Sequence, residues 1–100
     1  MDKNYEIWEK KTKLFKRDGY RCQACGGSIY QYGTPQLGHR IKANEMYLRK
    51  YGKDVIYADD NMASTCCLKC NGAVDLGHKT KLIEDLVKKI LDKEVNSGYN

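Results

Sequence analysis

Two cysteine pairs decide the fold of this chain: Cys22-Gln-Ala-Cys25 and Cys67-Leu-Lys-Cys70. Two thiolates separated by two residues are a typical half of a zinc site, and two such pairs supply four ligands. Four thiolates leave no open position on the metal, so we expect a structural zinc ion. Redox pairs or buried free thiols are the alternative. The fifth cysteine, Cys66, is expected to be a buried free thiol or to replace Cys67 as a ligand.

Length and composition predict one domain over residues 1–100. A chain of 100 residues has a thin core, so closing the long segment between the cysteine pairs with a metal would stabilise it substantially. Lys and Arg number 18 against 13 Asp and Glu, which gives a formal net charge of +5. We find no long apolar run or signal segment, so membrane insertion and secretion are disfavoured and a cytoplasmic protein is expected.

Helical periodicity flanks the segment that carries the cysteines. Tyr5, Trp8 and Phe15 recur at helical spacing and predict a helix over 4–17. An apolar stripe from Leu82 to Leu91 predicts a second helix over about 80–95 that packs on the core. Between them the pattern predicts an α+β arrangement: a strand at 36–41, a helix at 42–52, an extended piece at 54–57, and a strand or helix that begins at 61–63.

The cysteine pairs enclose and flank an ordered set of polar residues. The order is Arg17-Asp18-Gly19-Tyr20-Arg21, then His39-Arg40-Ile41, then Asp60-Asn61, and finally Asn71 directly after the second pair. This order resembles the HNH endonuclease family in its zinc-knuckle subtype, whose small members are frequent in bacteriophages and mobile elements. The resemblance covers residues 17 to about 77. It implies a small zinc-stabilised α+β domain with a ββα-metal motif and flanking N- and C-terminal helices.

The same resemblance implies a metal-dependent endonuclease that hydrolyses DNA phosphodiester bonds. His39 matches the general base, and neutral imidazole can take a proton from water near pH 7. Asn61 matches the asparagine that holds the histidine and the metal-bearing loop in register. Asn71 stands where the family places its last ligand to a catalytic Mg²⁺ or Mn²⁺ ion, which would act as a Lewis acid. The implied location is the cytoplasm of a bacterial or phage-infected host cell.

Gly38 departs from the family pattern, because the residue before the general base is normally Asp, Glu or His, a direct metal ligand. Asp75, His78, or substrate phosphate together with water are the candidate replacements. The alternative function is a catalytically decayed zinc-knuckle module that binds nucleic acid or a protein partner. A third function is a zinc-stabilised interaction domain that dimerises through the Leu82 to Leu91 stripe.

Two basic clusters bracket His39 in the sequence. We expect them to contact the phosphate backbone of DNA, which positions a duplex but carries no sequence information. No membrane partner is expected, while a phage or host protein partner and the choice between monomer and dimer stay open. The predicted contact residues are Arg40, Lys42, Arg49 and Lys50 in one cluster, with Lys16 and Arg17 in the other.

Overall fold

A computed structural model describes the backbone of residues 3–97 and the side chains of residues 8–93. Within these residues the protein is a small α+β fold, as the sequence predicts. It has five α-helices, one 3-10 turn and a two-stranded sheet. The elements in chain order are α1 (Lys3–Arg17), β1 (Gln36–His39), α2 (Glu45–Tyr51), α3 (Lys53–Ile56), the 3-10 turn (Asp59–Asn61), β2 (Met62–Thr65), α4 (Leu68–Ala73) and α5 (Thr80–Ser97).

The chain forms two compact units, each assembled from two separate segments. The first unit contains the residues up to Gly38 together with Ala63–Val74, and the second contains His39–Met62 together with the residues from Asp75 onward. β1 and β2 pair antiparallel: Thr65 Oγ1 donates to the Gln36 carbonyl at one end, and the Arg40 N–H donates to the Asn61 carbonyl at the other. Both cysteine pairs therefore belong to the first unit, and both histidines belong to the second.

The first unit buries the C-terminal half of α1 beneath β2. Leu14 and Phe15 are almost fully buried, and the Leu14 carbonyl accepts a hydrogen bond from the buried Ser64 hydroxyl at 3.3 Å. Trp8, which the sequence analysis places on the same inner face, is 65% exposed. Trp8 does share a face with Phe15, seven residues away, but it lies two turns nearer the N-terminus, beyond the buried part of the helix.

Asp18 links the end of α1 to β2. Its two carboxylate oxygens accept hydrogen bonds from the Arg17 guanidinium at 2.9 and 3.0 Å, and the Ser64 N–H donates to Oδ2 at 3.0 Å. Burial alone raises the pKa of Asp18, but the Arg17 and Ser64 hydrogen bonds outweigh it and hold the pKa below its ordinary value of 3.8. Folding therefore favours the charged carboxylate.

The lowered pKa of Asp18 gives the free energy of unfolding a specific pH dependence. A carboxyl whose pKa is lower in the folded state stabilises the protein above pH 3.8, and this contribution is lost as the pH falls through the folded value. We expect Asp18→Asn to lower the melting temperature at neutral pH. As the pH decreases, the melting temperature of the variant should fall less steeply than that of the wild type. Thermal melts of both proteins from neutral pH to below pH 3.8 check this, and parallel profiles would contradict it.

The second unit has an apolar core between α2, α3 and α5. This core contains Ile41, Tyr47, Ile56 and Ile83, with Leu76 and Leu86 among the partly buried side chains around it. The apolar face of α5 is narrower than the predicted stripe, because Ile83 and Ile90 are buried while Leu82 and Leu91 at its edges are 48% and 44% exposed. Across residues 3–97, no helix is both long enough and apolar enough to pass through a bilayer.

Several boundaries differ from the sequence predictions. α2 begins at Glu45 rather than at residue 42, because Asn44 caps it: the Asn44 Oδ1 accepts the Tyr47 N–H at 2.9 Å. Gly52, at φ 86°, ends α2 and directly precedes α3. The predicted extended piece at 54–57 was wrong, because these residues form α3 and its C-terminal cap and bury two adjacent apolar side chains, Val55 and Ile56.

Candidate functional site

Four cysteine sulfurs in the first unit lie within 4.8 Å of one another. They belong to Cys22, Cys25, Cys66 and Cys70. The Cys25 and Cys66 sulfurs are 3.7 Å apart, and the Cys66 and Cys70 sulfurs are 3.8 Å apart. A tetrahedral site with Zn–S bonds of about 2.3 Å places its sulfurs about 3.8 Å from one another. The cluster could therefore hold a structural metal ion such as zinc.

Cys66 supplies the fourth sulfur of the cluster, the position for which the sequence predicts Cys67. Cys66 follows the last residue of β2 and is 1% exposed, so its sulfur faces the cluster from inside the unit. Cys67 caps the N-terminus of α4 in an extended conformation, is partly exposed, and has its sulfur 4.0 Å from that of Cys66. Two neighbouring sulfurs therefore approach one coordination position, and the distances favour Cys66 as the fourth ligand.

Local backbone amides favour the thiolate form of one cysteine in each pair. Burial raises the pKa of Cys22, but the N–H groups of Cys25, Ala24 and Cys66 outweigh it and lower the pKa to about 6. The Cys70 amide likewise lowers the pKa of Cys67. Burial raises the pKa of Cys66 to about 11 and also raises that of Cys70. Because a metal binds thiolates, occupation of the cluster would release protons from the buried thiols.

Gln31 is a neighbour of the cluster that the sequence analysis missed. Its side-chain amide donates to the sulfurs of Cys25 at 3.4 Å and Cys66 at 3.3 Å. Gly27 allows this approach, since a Cβ at Gly27 would overlap the Gln31 amide. Hydrogen bonds to ligating sulfurs orient them and tune the metal. A lone glutamine in a turn gives no sequence signal for such a role.

His39 is the last residue of β1 and lies in the second unit. Its ring meets the Tyr57 ring edge-on, with centroids 5.5 Å apart and planes at 84°. The side chain is partly exposed, although its Nε2 atom is buried. The imidazole therefore lies against the Tyr57 ring and is not fully enclosed.

Asn61 holds the two residues that follow His39. Its Oδ1 accepts the Ile41 N–H at 2.8 Å, and its Nδ2 donates to the carbonyls of Ile41 at 3.1 Å and Ile56 at 2.8 Å. Its own carbonyl accepts the Arg40 N–H at 2.8 Å. The side chain is fully buried, so all of these hydrogen bonds are shielded from water. Asn61 thus holds the backbone of the two residues that follow β1.

Asn71 lies in α4 of the first unit, where its side chain is tied to β1. Its Nδ2 donates to the Gln36 Oε1 at 3.1 Å and to the Leu37 carbonyl at 3.4 Å. Gly38 is buried beside it: a Cβ at Gly38 would lie 2.7 Å from the Val74 Cγ2 and 2.8 Å from the Asn71 Oδ1. The space beside Gly38 is therefore filled by Asn71 of α4 and by Val74 at its C-terminal cap, and glycine permits that close approach.

Gly38 and Gly72 differ in the space around them, so changing each to alanine should move the free energy of unfolding in opposite directions. Gly38→Ala forces its Cβ against Val74 and Asn71 and is expected to cost about 1–3 kcal/mol of unfolding free energy. Gly72→Ala, in α4 with open space around its Cβ, is expected to stabilise by up to about 1 kcal/mol through helix propensity. Urea unfolding of both variants measures the difference. An unchanged free energy of unfolding for Gly38→Ala would contradict the close packing at this position.

Asp75, one of the two candidate replacement ligands, has side-chain partners within the second unit. The Asp75 Oδ1 accepts the Gly77 N–H at 2.7 Å, and its Oδ2 lies 3.7 Å from the Lys42 ammonium. His78 is exposed at the surface. Among residues 8–93, the cysteine cluster is the only group of three or more His, Cys, Asp or Glu side chains close enough to share an ion. The described side chains therefore include no second group of this kind.

The predicted phosphate-contacting residues are divided between the units. In the first unit Lys16 is exposed and Arg17 is bonded to Asp18. In the second, Arg40 is half-buried. The other predicted contacts there are exposed, each beside a neighbour: Lys42 near Asp75, Arg49 on Glu45, and Lys50 over the Tyr51 ring at 5.3 Å.

Comparison with known proteins identifies no relative of this chain. No protein-family profile, curated protein or solved structure matches the chain.

Proposed function

We propose that the protein is an endonuclease of the HNH type that hydrolyses DNA phosphodiester bonds. The observation that carries the proposal is the pairing of His39 at the end of β1 with a buried Asn61 that bonds the next two residues. Two further features support it: the cysteine cluster, and a chain order in which β1, β2 and α4 follow one another, with α2, α3 and the 3-10 turn between the two strands.

In the proposed reaction, His39 is the general base. Its imidazole takes a proton from water. The water oxygen then bonds to phosphorus, the bond from phosphorus to the 3′ oxygen breaks, and that oxygen takes a proton from solvent. Arg40, adjacent to the base, offsets negative charge on the phosphate. Asn61 positions both residues through the backbone. The resemblance also implies a Mg²⁺ or Mn²⁺ ion near Asn71, which would act as a Lewis acid on the phosphate.

A nucleic-acid-binding module without catalysis is the second candidate function. The packing of Gly38 against Asn71 and Val74 favours it, because an acidic or histidine ligand at that position has no room. This candidate keeps the cysteine cluster as a structural metal site and the basic side chains as phosphate contacts. In this candidate function His39 does not act as a general base.

Nicking of supercoiled plasmid separates the two candidates. We expect the wild type to nick in Mg²⁺ or Mn²⁺, and His39→Ala to be at least about 100-fold slower because it lacks the base. Leu82→Ala, an exposed change on α5, serves as the matched control and should keep the wild-type rate. Circular dichroism confirms that each variant is folded. If the wild type nicks in neither metal, or His39→Ala nicks at the wild-type rate, the catalytic proposal is wrong.

A further inference from the structure

Three exposed tyrosines in the first unit have no part in the metal centre or in the proposed hydrolysis. Tyr20, Tyr30 and Tyr32 are 44%, 54% and 72% exposed. Tyr20 follows the end of α1, and the other two lie in the turn after the first cysteine pair. Large aromatic side chains bury much apolar area when they are covered. Three solvent-facing rings in a unit this small therefore indicate a binding surface.

The backbone holds Tyr20 and Tyr30 as a stacked pair. Their ring centroids are 6.4 Å apart with planes at 26°. The Ile29 N–H donates to the Tyr20 carbonyl at 3.1 Å, and Arg21 forms a β-bridge with Ser28. Tyr20 has a φ of 59°, a left-handed conformation that no other non-glycine residue in the described part of the chain adopts. Rings fixed in this way lose little conformational entropy when a ligand covers them.

Tyr32 forms a second aromatic position beside the cysteine cluster. It lines an open groove of about 580 Å³ together with the exposed Lys69. The groove places an aromatic ring and an ammonium group within one small surface, which suits a ligand with both flat apolar and anionic parts. The remaining lining residues are Ala24, Cys25, Cys67, Cys70 and Ala73.

The charge of the first unit identifies the class of ligand. Its described side chains include seven basic and only two acidic groups, and one of the acids, Asp18, is bonded to Arg17. The second unit is nearly balanced, with ten basic and eight acidic groups among its described side chains. An excess of cations in the unit that carries the exposed aromatic rings favours a polyanion with planar groups over a protein surface. The basic residues of the first unit are Lys10, Lys11, Lys13, Lys16, Arg17, Arg21 and Lys69.

We propose that single-stranded DNA binds the first unit at two aromatic positions, the Tyr20–Tyr30 pair with Arg21 and Tyr32 with Lys69, which together we call the stacking surface. Unpaired bases stack on the tyrosine rings, and the phosphates pair with the basic side chains. A duplex offers only base edges in its grooves, because its base faces are stacked on one another. The surface therefore selects unpaired DNA. The choice of DNA rests on the proposed function. The inference adds that the bound DNA is single-stranded.

Binding to labelled oligonucleotides tests the inference without any cleavage. Fluorescence anisotropy is measured for His39→Ala protein, with no added divalent ion, on an oligothymidylate and on a duplex of equal length. We expect tighter binding to the single strand. Tyr30→Ala and Tyr32→Ala should each weaken that binding by about tenfold, while Tyr30→Phe and Tyr32→Phe keep it within about twofold. Duplex binding should not respond to the tyrosine changes, and Leu82→Ala should change neither complex.

The possible outcomes distinguish this inference from the proposed function. If both tyrosine-to-alanine variants, shown to be folded by circular dichroism, bind the oligothymidylate as tightly as their parent, the stacking surface is wrong. Equal affinity for duplex and single strand also overturns it, and tighter binding to oligouridylate than to oligothymidylate overturns DNA as the partner. If the wild type does not nick plasmid while the binding results hold, the proposed hydrolysis is wrong and the stacking surface stands.

Discussion

Cys22→Ser is expected to abolish metal binding and to unfold the first unit. Cys22 is 2% exposed and supplies one of the four clustered sulfurs. Structural zinc contributes on the order of 10 kcal/mol to the folding of small domains. That contribution is comparable with the whole stability of a typical domain, about 5–15 kcal/mol. The measurements are zinc content after gel filtration and thermal unfolding by circular dichroism, and we expect little zinc and no cooperative transition from the first unit.

Cys66→Ser and Cys67→Ser form the matched pair for this experiment. The two residues are neighbours, and each substitution removes one sulfur. Because the Cys66 sulfur lies 3.7 and 3.8 Å from those of Cys25 and Cys70, we expect Cys66→Ser to lose zinc as Cys22→Ser does. Cys67→Ser should retain most of it. The opposite order would assign the fourth position to Cys67, as the spacing of the cysteine pairs predicts.

Asn61→Ala is expected to cost about 3 kcal/mol or more of unfolding free energy. The change leaves the Ile41 N–H and the carbonyls of Ile41 and Ile56 without their side-chain partner. Each buried polar group that loses its hydrogen bond costs about 1–3 kcal/mol. The same change should slow plasmid nicking, because the backbone that carries His39 and Arg40 loses its support.

Asn44→Ala is the control for Asn61→Ala, because Asn44 is an exposed asparagine in the same unit. It bonds one backbone amide at the start of α2, and losing such a cap costs about 1 kcal/mol. Urea unfolding should therefore rank Asn61→Ala well below Asn44→Ala in stability. Equal losses for the two variants would show that the buried network around Asn61 does not hold the unit together.

The sequence predicts the parts of this structure that depend on local pattern. The spacing of Cys22 and Cys25 indicates one half of a metal site, and helical periodicity gives α1 and α5 to within a few residues. The sequence analysis places the start of a strand or helix at 61–63, and β2 begins there, at Met62. These features follow from residue type and spacing along the chain, so no tertiary contact is needed to recognise them.

The remaining features depend on contacts between distant segments. The choice between Cys66 and Cys67 depends on where β2 ends, and nothing in two adjacent cysteines shows which one faces the cluster. Gly38 looks like a missing ligand in the sequence, whereas the structure shows α4 packed where its side chain would be. The hydrogen bonds from Gln31 to two sulfurs have no sequence signal at all.

The metal content of the purified protein tests the account most directly, because the first unit is organised around the cysteine cluster. Elemental analysis of protein that is folded by circular dichroism is combined with titration of its accessible thiols under native conditions. We expect one zinc per chain and four thiols protected until a chelator is added under denaturing conditions. A folded protein with far less than one zinc per chain, and with all five cysteines reactive, would contradict the metal centre and the family resemblance that depends on it.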